Sequence, residues 1–237
     1  MATVYSFVKL FENRQFATEF VSGKLFMNTI KFFNKYSDKA GELRGDDYEG
    51  IVALFQPNRI GEIRIGNLMF PGNSLASPIT IQTDHLLNKN AFCLYSLNSS
   101  GFDLVSSDTI ADFKRTIELH ESCFGLGDYC VVILNAQEFI DRCHNAIKKI
   151  GISGTLGLVD YFNERDFHGY LPTERLGYQK RSVFSHQREY RILIDTERSV
   201  PGSFVLEIGS LADIVHITTP VEFNKQLIIK LPHLQYV

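Results

Sequence analysis

The chain has 237 residues, 44% of them hydrophobic and 22% charged, with a formal net charge of -3. That length and apolar share suffice for one substantial core, no composition break marks a second domain within 1–237, and the acidic balance excludes a global attraction to nucleic acid or anionic membrane, so any polyanion site has to come from a local patch. No stretch approaches the roughly 20 apolar residues of a membrane span, the amino terminus lacks a secretory layout, and Cys93, Cys123, Cys130 and Cys143 contain no C-x-x-C pair, so a cytoplasmic protein with buried free thiols is expected.

Residues 3–10 alternate as a half-buried strand showing Tyr5, Phe7 and Lys9 on one face. Asn13 caps a helix with Phe16, Ala17, Phe20 and Val21 as its buried stripe, and Gly23 ends it. Residues 24–28 return as a strand, and the polar stretch 34–50 reads as a loop. Strands are expected at 51–56, 62–65 and 79–82, and the apolar run 91–97 suits a central strand. A helix over 108–119 carries Ile110, Phe113 and Ile117, and a buried strand follows at 131–134. Asn135 to Glu138 forms a capping box, and the helical period continues through Phe139, Ile140, Cys143, Ile147 and Ile150 to Gly151. After a strand at 156–161 and a polar loop to 181 come strands opening at Glu189, at 204–208 and at 214–217, then a short helix from Thr219-Pro220. Strands cluster at both ends without a βαβ rhythm, so the fold class is α+β.

The glycine clusters at 125–127 and 151–157 complete neither a dinucleotide fingerprint nor a P-loop, His120-Glu121 lacks the second histidine of a zinc helix, and no G-x-S-x-G elbow occurs. No metal site is expected. The informative segment is Glu189-Tyr190-Arg191 followed by Ile-Leu-Ile, which puts a carboxylate at the mouth of an apolar strand, an expensive place unless something pairs with it. Strand alternation sets Gln187 and Arg191 on the Glu189 face. A structural ion pair is the plain account of this; a polar cleft is the functional one.

Tyr5-x-Phe7, Gly23-Lys-Leu-Phe-Met-Asn28, Arg44-Gly-Asp-Asp-Tyr-Glu49, Lys180 and Glu189-Tyr-Arg191 together resemble a widespread family of uncharacterised bacterial proteins that has an opening Y-x-Y/F strand, an N-D-P-x-E loop and a closing E-x-E-Y-R strand. Asp46-Asp-Tyr-Glu49 departs from the loop pattern, and Gln187 replaces the first glutamate of the closing one. The order of elements and the late Glu189 also resemble the ADP-ribosyltransferase fold, including toxins of phage-defence systems. That second resemblance implies a split antiparallel sheet core with flanking helices, and NAD as substrate. Glu189 would stabilise an oxocarbenium-like ribosyl cation. Tyr5, Phe7, Lys9, Asn28, Arg44 and Arg181 would bind the dinucleotide, while Asp47, Glu49, Lys180, Tyr190 and Arg191 would line the cleft or meet the acceptor, Arg44 and Asp47 acting as a lid.

Residues 175–191 hold Arg175, Lys180, Arg181, Arg188 and Arg191 against Glu189, interleaved with Tyr178, Phe184 and Tyr190, which favours an RNA acceptor, with DNA or protein as alternatives. A toxin of this kind implies a neutralising antitoxin-type protein. Two further readings are a non-catalytic nucleotide-sensing or interaction module, and a metal-dependent nuclease gathering an ion on Asp46, Asp47 and Glu49.

Overall fold

In the computed structural model, residues 3–36, 45–99 and 101–231 are described. The chain opens with β1 (Val4–Phe11), α1 (Arg14–Val21), β2 (Lys24–Thr29) and α2 (Ile30–Lys35). The Asn13 side chain accepts the Phe16 N–H at 3.0 Å, and Thr29 caps α2 by accepting from Phe32 at 3.1 Å. The turn out of α1 needs glycine, because Gly23 has φ +93° and a Cβ there would lie 1.9 Å from the Gly209 carbonyl oxygen. Next come β3 (Ile51–Phe55), β4 (Glu62–Ile65), β5 (Leu68–Pro71), β6 (Ile79–Gln82), α3 (Asp84–Leu87), β7 (Asn90–Asn98), α4 (Ile110–Ile117), β8 (Tyr129–Ile133) and α5 (Ala136–Lys149). The last third holds β9 (Ser153–Leu158), β10 (Asp160–Phe162), β11 (Gly169–Tyr170), β12 (Gln179–Arg181), β13 (Glu189–Asp195), β14 (Phe204–Glu207), β15 (Val215–Thr218) and α6 (Pro220–Gln226).

The main sheet runs β14-β2-β7-β1-β8-β15, with β13 added to β7 and β9 to β13, all antiparallel. Smaller sheets are β11-β3-β6, the hairpin β4-β5 and the parallel pair β10-β12. The molecule is thus mixed α and β with several antiparallel sheets, as α+β implies.

Strand β7 is the junction. One edge pairs with β13 from Glu189↔Tyr95 to Ile194↔Asn90. The other edge is shared: β1 takes its later half, ending at Val8↔Tyr95, and β2 takes its start through Asn28↔Ala91 and Thr29↔Asn90. Residues 92–94 therefore border a split between β1 and β2, and β1 continues along β8 instead, through Lys9↔Val131 to Phe11↔Tyr129. Lys9 bridges the split, its Nζ donating to the Cys93 carbonyl at 2.7 Å and lying 4.6 Å from the centre of the Phe92 ring.

Alternation along the strands divides the core between two faces. Phe7, Phe20, Phe92, Phe139, Tyr190 and Ile192 pack on the α5 side, while Val8, Leu10, Tyr95, Phe113, Ile117 and Cys123 pack on the α4 side. The expected common face of Tyr5 with Phe7 and Lys9 does not form. Val4 stands opposite Asn98 but Ser6 opposite Leu97, so a β-bulge inserts one residue and resets the alternation. Tyr5 meets Phe113 edge-on at 6.0 Å on one side, and Phe7 lies 5.6 Å from Phe139 and 4.7 Å from Tyr190 on the other.

The expected loop 34–50 begins later than composition suggests, since α2 reaches Lys35, and the expected loop to 181 contains β11 and β12. The expected strand at 156–161 is two strands, because β9 pairs with β13 while β10 turns to β12. Substituting Gly23→Ala, against the Gly209 backbone, is expected to lower stability by about 3 kcal/mol, and Gly151→Ala, whose Cβ would meet nothing within 4 Å, by about 1 kcal/mol. Urea denaturation of the two variants checks the ranking.

Candidate functional site

Arg188 has φ 41° and ψ 50°, a left-handed conformation that closes the turn 182–187 and starts β13 at Glu189. Its carbonyl oxygen accepts the Ser96 amide at 2.9 Å and the Ser96 hydroxyl at 2.8 Å, which ties the strained residue to β7. From there Glu189 and Arg191 face the same side as Tyr95 and Cys93, their partners across the ladder. The Glu189 amide donates to the Tyr161 hydroxyl at 2.8 Å.

Glu49 reaches the same place from the turn after α2. Asp46 shapes that turn: its carboxylate accepts the Tyr48 amide at 3.0 Å, the Arg181 amide at 3.1 Å and Arg181 Nε at 2.5 Å. Asn34 Nδ2 donates to the Asp47 carbonyl at 2.7 Å and the Glu49 carbonyl at 3.2 Å, fixing the far side. The Glu49 carboxylate then receives Arg191 in a two-pronged pair, Nη1 to Oε2 at 2.9 Å and Nη2 to Oε1 at 2.8 Å. The same guanidinium donates from Nε to Glu189 Oε1 at 2.7 Å and from Nη1 to the Gly177 carbonyl at 2.6 Å.

Lys180, delivered by β12, completes the cluster. Its Nζ donates to Gln187 Oε1 at 2.8 Å and to Glu189 Oε2 at 3.2 Å, and lies 3.8 Å from Glu49 Oε1. Two carboxylates thus face two cations in a buried, charge-balanced group, with Glu189 4% exposed and Arg191 1% exposed. Burial opposes the charge on Glu189, but Arg191, Lys180 and a hydrogen bond from the Cys93 thiol outweigh it and hold the carboxyl well below the usual range. Burial likewise opposes the charge on Lys180, and Glu189 and Glu49 reverse this, raising its pKa. Burial and the adjacent Glu189 carboxylate push the Cys93 thiol up to about 12, so it is a neutral hydrogen-bond donor rather than a nucleophile.

The cluster forms the floor of a cavity of about 560 Å³ that follows the split and is lined from both faces of the sheet. Its walls include Phe11, Phe16, Phe20, Phe26, Phe33 and Phe92. A mostly apolar pocket of this size with a few converging polar groups is the usual form of a small-molecule site.

Of the residues expected from sequence, Lys9, Asn28, Glu49, Lys180, Glu189 and Arg191 all line this cavity. Tyr5, Phe7 and Tyr190 do not: Tyr5 packs on α4, and Phe7 and Tyr190 are core partners of each other on the face away from Glu189. Arg181 turns from the cavity to Asp46 and to the rings of Tyr48 and Phe184, and Asp47 is exposed outside the cavity lining. Arg44 lies outside the described residues.

Asp46 turns to Arg181 and Glu49 to Arg191, while Asp47 is exposed, and among the described residues no group of three His, Cys, Asp or Glu side chains suited to a metal occurs. Of the five cations at 175–191, all but Arg188 are engaged with carboxylates. Arg175 pairs with Asp160, Lys180 with Glu189, Arg181 with Asp46 and Arg191 with both glutamates, while Tyr178, Phe184 and Tyr190 are buried.

Cys93 belongs to the site but reads from sequence as one more apolar residue of a central strand, and only the β7-β13 register shows it beside Arg191. Gln187 does lie beside Lys180 and Glu189, but a 3₁₀ turn rather than strand alternation brings it there. Comparison of the chain with protein-family models, with curated proteins and with solved structures returned no match.

Arg191→Met leaves two buried carboxylates short of a partner and is expected to cost about 3–5 kcal/mol in urea denaturation. A loss under 1 kcal/mol would show that the cluster is not holding the fold. The depressed Glu189 pKa stabilises the fold fully above the unfolded-state value near ~4.3, and that contribution disappears as pH falls through the lower folded-state value. Stability measured at pH 7, 4 and 3 should therefore drop more steeply in the wild type than in Glu189→Gln.

Proposed function

We propose that the protein is an NAD-consuming ADP-ribosyltransferase, acting as a toxin or phage-defence effector. The observation that carries the reading is an ionised Glu189 on the wall of a 560 Å³ cavity opened by the split between β1 and β2. A split antiparallel sheet with helices packed outside is the core expected of such an enzyme, and it supports the reading without the residues that sequence had offered for stacking.

In this reaction the bond between ribose C1′ and the nicotinamide nitrogen breaks, the electron pair leaves with nicotinamide, and the ribosyl carbon becomes cationic. The acceptor attacks that carbon and gives up a proton. A carboxylate fixed in a water-poor site stabilises the developing positive charge without having to reorganise. Glu189 Oε1 is held by Arg191 at 2.7 Å and Oε2 meets Lys180 at the longer distance of 3.2 Å, with the Cys93 thiol donating to the same carboxylate, and a ribose hydroxyl would be a further donor to it. The aromatic walls supply stacking surfaces for nicotinamide or adenine, and Lys9 and Lys24, both on the lining, supply cations for the pyrophosphate. An active toxin would also need a neutralising partner in its own cell. Among the described residues no helix is long and apolar enough to cross a membrane.

A second reading has its own observation. Glu49 and Glu189 are already matched by Arg191 and Lys180, a closed arrangement that also suits a rigid module binding a nucleotide without cleaving it. Incubating purified protein with NAD and separating products by chromatography distinguishes the two. Free nicotinamide should accumulate, and Glu189→Gln should slow its release at least ~100-fold while keeping the circular dichroism of the wild type. Calorimetric binding of NAD with no nicotinamide released would select the binding module.

A further inference from the structure

Asn28 is a polar group of the cavity that the charged cluster leaves unused. Burial alternates along β2, with Leu25 and Met27 in the core and Lys24, Phe26 and Asn28 on the opposite face. Phe26 and Asn28 both line the cavity, and so does Phe33 of α2. Among the described residues the Asn28 side-chain amide makes no hydrogen bond, although it is half-buried on a mostly apolar wall. An amide in such a place is short of partners until a ligand supplies them.

Strand register fixes its distance from Glu189. Asn28 stands opposite Ala91 and Glu189 opposite Tyr95, on the two edges of β7, and like parity puts both side chains on one face. Ordinary strand spacings set the two Cα atoms ~13 Å apart along β7 and ~10 Å across it, roughly 16 Å in all. Cys93 is midway between Ala91 and Tyr95, and Lys9 Nζ rests on its carbonyl at 2.7 Å. In a dinucleotide, two riboses and a pyrophosphate separate the bases. A ligand with its nicotinamide ribose at Glu189 and its pyrophosphate near Lys9 therefore brings its other base, the adenine, to Asn28.

An asparagine amide sets an acceptor oxygen beside a donor nitrogen. Adenine presents the complement, an N6 amino donor beside the N7 acceptor, and asparagine meets it in a two-pronged contact, whereas guanine offers two acceptors, O6 and N7, on that edge. Phe26 is the next residue on the same face, ~7 Å along the strand, where its exposed ring can stack under a base whose edge reaches Asn28. We infer that Phe26 and Asn28 form an adenine subsite, which makes the cavity selective for adenine nucleotides. The orientation rests on the role proposed for Glu189; the base preference requires only that the cavity holds a nucleotide.

Calorimetry on the full chain compares AMP, GMP, UMP and nicotinamide mononucleotide. AMP is expected to bind at least about tenfold more tightly than GMP or UMP. Asn28→Leu keeps the size of the side chain and removes both hydrogen-bonding groups, so it should weaken AMP about tenfold and nicotinamide mononucleotide less than about twofold. Phe26→Ala, at an exposed position, should weaken AMP by a similar factor while keeping the circular dichroism of the wild type. Equal binding of AMP and GMP, no detectable AMP binding, AMP binding unchanged in Asn28→Leu, or a loss in that variant confined to nicotinamide mononucleotide overturns the inference. Nicotinamide release is measured separately on NAD and on its guanine counterpart. Equal release from both would sink the adenine subsite and retain the transferase reading. AMP selectivity without any release would do the reverse.

Discussion

The guanidinium of Arg191 organises this molecule. Its one planar fork holds Glu49 from the turn after α2, Glu189 from its own strand and the carbonyl of Gly177 from the segment before β12. Three parts of the chain that share no sheet pairing with one another are located by one side chain. A lysine, with a single ammonium and no fixed fork, could not reproduce that geometry. Burying such a group is costly in isolation, and the cost is offset only because each charge has an opposite partner within hydrogen-bonding distance. The arrangement therefore has two roles at once: it fastens the small sheets to the large one, and it keeps a carboxylate charged at the wall of a cavity.

The split in the sheet is the second requirement. Had β1 continued along β7, the edge groups of residues 92–94 would pair in a regular ladder and no space would open between β1 and β2. The departure of β1 toward β8 is tolerated because Lys9 takes over an acceptor that a strand would otherwise satisfy, and because Phe20 stacks on Phe92 at 5.7 Å beneath α1. The cavity is thus a consequence of strand connectivity, with its polarity supplied by β13 and β12 and its aromatic walls by α1, β1 and β2.

Much of this is legible in the sequence. Strong local signals translate directly: the capping box at Asn135 starts α5, Asn13 caps α1, and a glutamate in an apolar strand does have the charged partners that its placement demands. What failed depended on partners. Tyr5 changed face because of a bulge defined by β7, which no pattern within β1 reveals. Four of the five cations near the closing strand have carboxylate partners that a count of charges along the sequence does not show; Asp46 and Glu49 lie more than a hundred residues earlier. Asp46 and Glu49 both read as polar loop residues, but their division of labour, one shaping the turn and the other clasping Arg191, is a matter of three-dimensional register.

Strand β7 draws its neighbours from both ends of the chain, β1 and β2 before it and β13 almost a hundred residues after it. On a ribosome the amino-terminal part emerges first. Until the segment through Asp195 has been made, the growing polypeptide has neither Glu189 nor the arginine that clasps Glu49, and the cavity has no charged floor. Contacts so distant in sequence are slow to close. A nascent chain therefore carries Glu49 and β7 for a long stretch of synthesis before the strand that completes the charged cluster is made.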